Sequence, residues 1–333
     1  MDYFDQVIKH QVDLIRVEAY ETKRIQRILA EADRKVAAVL AGKAKLPNPQ
    51  TRAFATLSAR LTKIRTDAID DVQRILTKQL KDLVDVERTF ELRALKTELD
   101  EVIDVDLRAL RKRALQTPFT TTPGQMASLD DWFVSFRAAD LKRLSAALEA
   151  AAYTKGNASE LIVGTRSQRY KNGVLRKTHY NAEALVRSSF NHVSNIVRTQ
   201  LWEANPIRVV RWTAILDRKL CPICLSHHGK YAALGGGKLP TRFSNNSLTP
   251  SGLRPPLHAN CRCVLLPVFD LLGTADLPDA DEWLKAQSVD EQNALLGVGK
   301  AQLFRKGTID ATALTAQTGR LLSLAELSGT QAV

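Results

Sequence analysis

The sequence predicts an α+β chain. It is mostly helical, with a long N-terminal helical hairpin and a small β-sheet in the C-terminal half that is stapled by clustered cysteines. Three observations predict this. The first 116 residues hold one glycine, Gly42, and two prolines, Pro47 and Pro49, all in one short break. Runs of strand-forming residues come only after Pro206. All four cysteines lie between Cys221 and Cys263.

The hairpin comes first. In its first helix Ile8, Val12, Ile15, Ala19, Ile25, Leu29, Ala32, Val36 and Val39 recur at three- and four-residue spacing. In the second, Phe54, Leu57, Leu61, Ile64, Ala68, Val72, Ile75, Leu83, Val86 and Phe90 do the same. Both are narrow apolar stripes between charged faces, which suit a bundle core or an arm lying on a partner. The second pattern runs from Thr51 to about Leu115. Unbroken at 1.5 Å per residue it would reach roughly 95 Å, so a kink or break is expected. The boundaries expected are 1–125 for the hairpin arm, 126–270 for an α+β domain and 271–333 for a tail of short helices.

Ser128, with Asp131 three positions on, reads as the N-cap of a helix carrying Trp132, Phe133, Phe136, Leu144 and Leu148. Lys155 to Asn181 reads as a basic loop or ribbon, with Arg166, Arg169, Lys171, Arg176 and Lys177, the aromatic Tyr170 and one carboxylate, Glu160. A helix is expected over Asn181–Ala204, where His192 has no partner signature and reads as solvated or hydrogen-bonded. Strands are expected over Ile207–Leu216 and Val264–Phe269, with a short third over Lys230–Leu234. In the tail, Ser288 and Glu291 form a capping-box pair.

Charge is uneven. The net charge is +12, and residues 151–250 carry 15 Lys/Arg against 4 Asp/Glu. A polyanion, most simply double-stranded DNA, is the partner this suggests, with Arg166, Arg169, Lys171, Arg176 and Lys177 tracking phosphates without sequence preference. A basic surface that meets an acidic protein patch is the alternative. No apolar run approaches the roughly 20 residues of a membrane span. The acidic start, with Asp2 and Asp5, does not suit a secretory signal, so the protein is expected to stay where it is made.

The chemistry concentrates in Cys221-Pro222-Ile223-Cys224 and His258-Ala259-Asn260-Cys261-Arg262-Cys263. A Cys-Pro-x-Cys turn aims two thiolates at one point, and a second pair must arrive from elsewhere to close a tetrahedron. Cys221, Cys224, His258, Cys261 and Cys263 are five candidates for four places, and the fourth ligand stays open between Cys261 and Cys263. Thiolate-rich donors favour Zn²⁺ over magnesium or calcium. Five candidates leave no obvious open position, so the zinc expected is structural. Free buried thiols are the alternative. The triple glycine Gly235-Gly236-Gly237 lacks the spacing of a phosphate loop.

At these residues the sequence resembles the phage Mu protein F-like minor head proteins, also called phage head morphogenesis proteins. The order that carries the likeness is a strand ending at Asp217, then Cys-Pro-x-Cys and His228-Gly229-Lys230-Tyr231. After a loop come Pro255-Pro256-x-His258-x-Asn260-Cys261-Arg262-Cys263 and a strand. The resemblance spans about residues 125–327. It implies a minor virion protein inside the head, made in the host cytoplasm with the procapsid. It also implies association with the portal protein and other head proteins, contact with packaged DNA, and no enzymatic activity. The competing expectation is a His-Asn-His metal nuclease built on His227, His228, Asn245 and Asn246. Such a site needs a helix after its first histidine, and Pro240, Pro250, Pro255 and Pro256 break that segment.

Overall fold

The computed structural model describes residues 3–41, 43, 45–122, 125–153, 158–163, 173–248, 254–269, 279–316 and 320–329. It is an α+β structure, mainly helical, with small antiparallel sheets. The helices are α1 (Tyr3–Leu40), α2 (Arg52–Leu95), α3 (Leu107–Gln116), α4 (Leu129–Tyr153), α5 (Ala158–Val163), α6 (Arg176–Ala204), α7 (Pro222–His227), α8 (Ala280–Lys285), α9 (Val289–Leu296), α10 (Val298–Arg305) and α11 (Leu324–Gly329). The strands are β1 (Phe119–Thr122), β2 (Gln125–Ala127), β3 (Val209–Thr213), β4 (Tyr231–Ala233) and β5 (Val264–Pro267).

The chain packs as two units that do not follow the boundaries expected at residues 125 and 270. One comprises Met1–Val7, Leu83–Ala127 and Phe190–Val333, and the other Ile8–Asp82 and Ser128–Ser189. Tyr3–Val7 of α1 and Leu83–Leu95 of α2 therefore fall in the first unit, and the rest of both helices in the second.

In the helical unit, Asp33, Arg65 and Asp140 are fully buried. The Arg65 guanidinium donates to Asp33, and to both oxygens of Asp140 at 2.9 and 3.1 Å. Thr178 also donates to Asp140, and His179 Nε2 lies 2.7 Å from Asp33. Around this knot Leu57, Leu61, Leu144, Leu148, Ile162 and Leu175 make a continuous core. On α1 the expected stripe residues Ile25, Leu29, Ala32 and Val36 are buried, together with Leu14, Glu21 and Thr22, whereas Val12 and Ile15 are exposed.

The second unit has its own buried charge. Arg198 Nε donates to Glu87 at 2.9 Å, while Tyr3 Oη and the Trp202 indole donate to Glu91 at 2.5 and 2.6 Å. Burial pushes Glu91 above the usual carboxylate range, against the pull of Arg198. The break expected in the second hairpin helix falls after Leu95, without glycine or proline. Asp106 caps α3 through the Ala109 N–H at 2.7 Å. The Asn205 side chain satisfies both the N–H and the C=O of Ile103, at 2.8 and 2.9 Å.

Strand order in the principal sheet is β4-β3-β5, all antiparallel. The β3–β5 register ends on Thr213 opposite Val264. β3 stops short of the expected Leu216 because the Ala214 N–H leaves the ladder and donates to His228 Nδ1 at 3.0 Å. β1 and β2 pair antiparallel, Phe119 opposite Ala127, in a stretch for which no strand was expected.

Candidate metal centre

The antiparallel register sets the site. Thr213 and Val264 are the last pair of the β3–β5 ladder, so the chain leaving β3 and the chain entering β5 emerge side by side. Cys263 directly precedes Val264, and the exit from β3 reaches Cys221 after one short loop. The two halves of the motif, 34 residues apart between Cys224 and His258, are thereby brought to one end of one sheet.

Each half is shaped locally. Cys221 is the N-cap of α7, Pro222 occupies its first turn, and Cys221 Sγ accepts from the Cys224 N–H at 3.4 Å. In the other half Asn260 adopts φ +63°, a left-handed conformation that asparagine tolerates. This turn lets His258 and Cys261 face the same point. His258 Nε2 lies 3.1 Å from both Cys221 Sγ and Cys224 Sγ, and Cys224 Sγ lies 3.8 Å from Cys261 Sγ. Two trios of donors result, Cys221/Cys224/His258 and Cys224/Cys261/Cys263, with the ligating atoms of each within 4.8 Å of one another. All five sequence-predicted ligands are thus brought together, in a cluster able to hold a metal ion.

The electrostatics favour a cation there. Hydrogen bonding from Cys224 holds the Cys221 thiol down to about 5 despite burial, and contacts with Cys224 and Cys263 hold Cys261 low. Burial opposes charge on His258, but hydrogen bonds and charge from Cys221 and Cys261 outweigh it and push the imidazole up to about 11. Contacts with Cys221, Cys261 and Cys263 push the Cys224 thiol up, and burial pushes Cys263 up, so the metal-free cluster shares its protons among several donors. His258 Nδ1 lies 2.7 Å from the Ala259 carbonyl, so Nδ1–H donates there and Nε2 is the ligating nitrogen.

Residues that the sequence did not single out as site residues support the donors. Asn191 donates to the Cys263 carbonyl at 2.9 Å, and Asn195 Oδ1 accepts from the Leu265 N–H at 3.2 Å. Arg262 forms a two-pronged pair with Asp217, both contacts 2.6 Å, tying the two halves together beside the cluster. The only sequence signals were that Asp217 ends the strand run and that Arg262 stands between two cysteines. The tail also reaches the site, since Ser226 of α7 meets Thr315 at 3.0 Å.

The remaining candidates fall elsewhere. Arg176 and Lys177 are exposed in the first turn of α6, not in a loop as expected. With Arg143 and Tyr180 they border an open cavity of about 700 Å³ floored by Ala147 and Ala150. Arg166, Arg169, Lys171 and Tyr170 lie outside the described residues. His192 is buried against Phe119, ring centroids 4.4 Å apart, and burial drives it down to about 4. His227 and His228 are buried, and each has Nδ1 engaged, with the Ile223 carbonyl and the Ala214 N–H. Among the described residues between His228 and β5, only a 3-10 turn over Thr241–Asn246 is helical, so the helix a His-Asn-His site needs is not found there. Also among the described residues, no helix is long and apolar enough to cross a membrane.

No family model, no curated protein and no solved structure matches the chain.

Proposed function

We propose that this chain is a minor structural protein of a tailed-phage head, associated with the portal protein and other head proteins inside the virion. In this reading it takes part in procapsid assembly, or in genome packaging and delivery, through non-specific contact with double-stranded DNA. The observation that carries the reading is the convergence of Cys221, Cys224, His258, Cys261 and Cys263 at the end of one sheet, in the residue order of the family the sequence resembles.

The metal in this reading is a structural zinc. A tetrahedral ion with Zn–S bonds of about 2.3 Å spaces its sulfurs about 3.8 Å apart, and Cys224 and Cys261 stand at 3.8 Å. Cys261 also contacts His258, so Cys221, Cys224, His258 and Cys261 are assigned as the four ligands. The ion closes the long loop between the two half-motifs, and binding energy becomes folding energy. The DNA contact rests on charge. Arg176 and Lys177 are exposed at the start of α6, and Arg166, Arg169 and Lys171 precede them in the sequence.

The test is quantitative mass spectrometry of purified mature particles and empty heads. The reading expects this chain in both, at a copy number far below that of the major capsid protein; its absence from both would overturn it. Separately, replacing Arg166, Arg169, Lys171, Arg176 and Lys177 by neutral residues should weaken binding to unrelated duplexes equally and flatten its salt dependence.

A further inference from the structure

We propose that the same cluster takes two copper(I) ions per chain, bridged by the Cys224 thiolate. The proposal deepens the metal reading above and rests on the five donors forming one cluster. One tetrahedral ion uses four donors and leaves Cys263 over. That thiol is not remote: it is 1% exposed and belongs to a trio with Cys224 and Cys261. Cys224 is the one residue common to both trios.

The arrangement is thus two three-donor sites sharing one sulfur. Thiolate donors select soft cations, and copper(I) is both soft and stable with only two or three ligands. Cys221, Cys224 and His258 would hold one ion, and Cys224, Cys261 and Cys263 the other. Zinc leaves as the divalent ion, two monovalent ions replace its charge, and the Cys263 proton goes to solvent. An approach exists, because a cavity of about 270 Å³ reaches Cys221 between Trp283 and Leu295.

The experiment is an anaerobic titration of full-length, zinc-loaded protein with the copper(I)–acetonitrile complex, in competition with a copper(I) chelator. The expected result is about two copper ions bound as the zinc is released, with a copper–copper path in the X-ray absorption spectrum. Cys263→Ser should keep its zinc and hold its second copper ion about tenfold or more weakly, since that ion loses one of three donors. Saturation of the wild type at one ion, or an unchanged affinity for the second ion in Cys263→Ser, would overturn the proposal. If Cys263→Ser does not fold, the copper–copper path of the wild type decides. A protein that carries zinc but takes one copper loses only the second position; one that carries no zinc loses the cluster reading itself.

Discussion

The two units bury charge in different ways. In the helical unit Arg65 spends three nitrogens on two carboxylates, and Thr178 and His179 complete the acceptors' partners. In the other unit Arg198 has one good contact, to Glu87, while its Nη2 and Glu91 Oε2 are buried without a hydrogen bond. Buried ion pairs stabilise only when geometry and hydrogen bonding are complete. The unit with the less complete pair is also the one with short strands and the Cys/His cluster. In the proposed reading the helical unit rests on packing and a satisfied salt-bridge knot, whereas the sheet-bearing unit depends on a metal.

The largest break in that contrast should come from metal removal. Structural zinc supplies on the order of 10 kcal/mol in small zinc domains. Chelation under reducing conditions should erase amide-exchange protection in β3 and β5, while residues 54–61 and 144–148 keep theirs. Equal loss in both regions would show that the staple serves the whole chain.

Next come the two arginines. Arg65→Met strands two buried carboxylates and should cost about 3–5 kcal/mol in urea unfolding of the zinc-loaded protein. Arg198→Met should cost less, about 2 kcal/mol, because only one strong hydrogen bond is lost and Glu91 is already pushed toward its neutral form. A reversed order would refute the ranking of the two knots.

A smaller effect concerns pH. Burial lowers His192 from its ordinary 6.5 to about 4. The unfolded chain therefore binds that proton first as pH falls. Stability from this residue is complete above pH 6.5, is lost progressively below it, and the loss ends near pH 4. Between pH 6.5 and 5 the loss should be about 2 kcal/mol. His192→Phe, which keeps a ring against Phe119, should remove that slope. The smallest effect is expected for Arg218→Ala. The Arg218–Glu291 pair is 3.2 Å but its arginine is 90% exposed, so the unfolding midpoint should not move.

The α+β class, the hairpin helices and all five clustered donors were legible in the sequence, because each is written in local spacing. The buried charges were not. Asp33, Arg65, Glu87 and Glu91 occupy core-facing helical positions, but nothing local distinguishes a buried, paired carboxylate from a solvated one. Their partners Asp140 and Arg198 lie 75 and 111 residues away from Arg65 and Glu87. For the same reason the division of the hairpin between two units was invisible. Nothing local marks Asn191 and Asn195, and only the fold brings them to Cys263 and Leu265. The end of α2 was hidden because its signals are Asp106 and the distant Asn205 rather than glycine or proline.

Metal analysis of the purified, reduced full-length protein tests the central claim most directly. The account predicts about one zinc per chain, and loss of that zinc in Cys221→Ser, since a tetrahedral structural site needs all four of its donors. Less than about half an equivalent in the wild type, or an undiminished zinc content in Cys221→Ser, would contradict it.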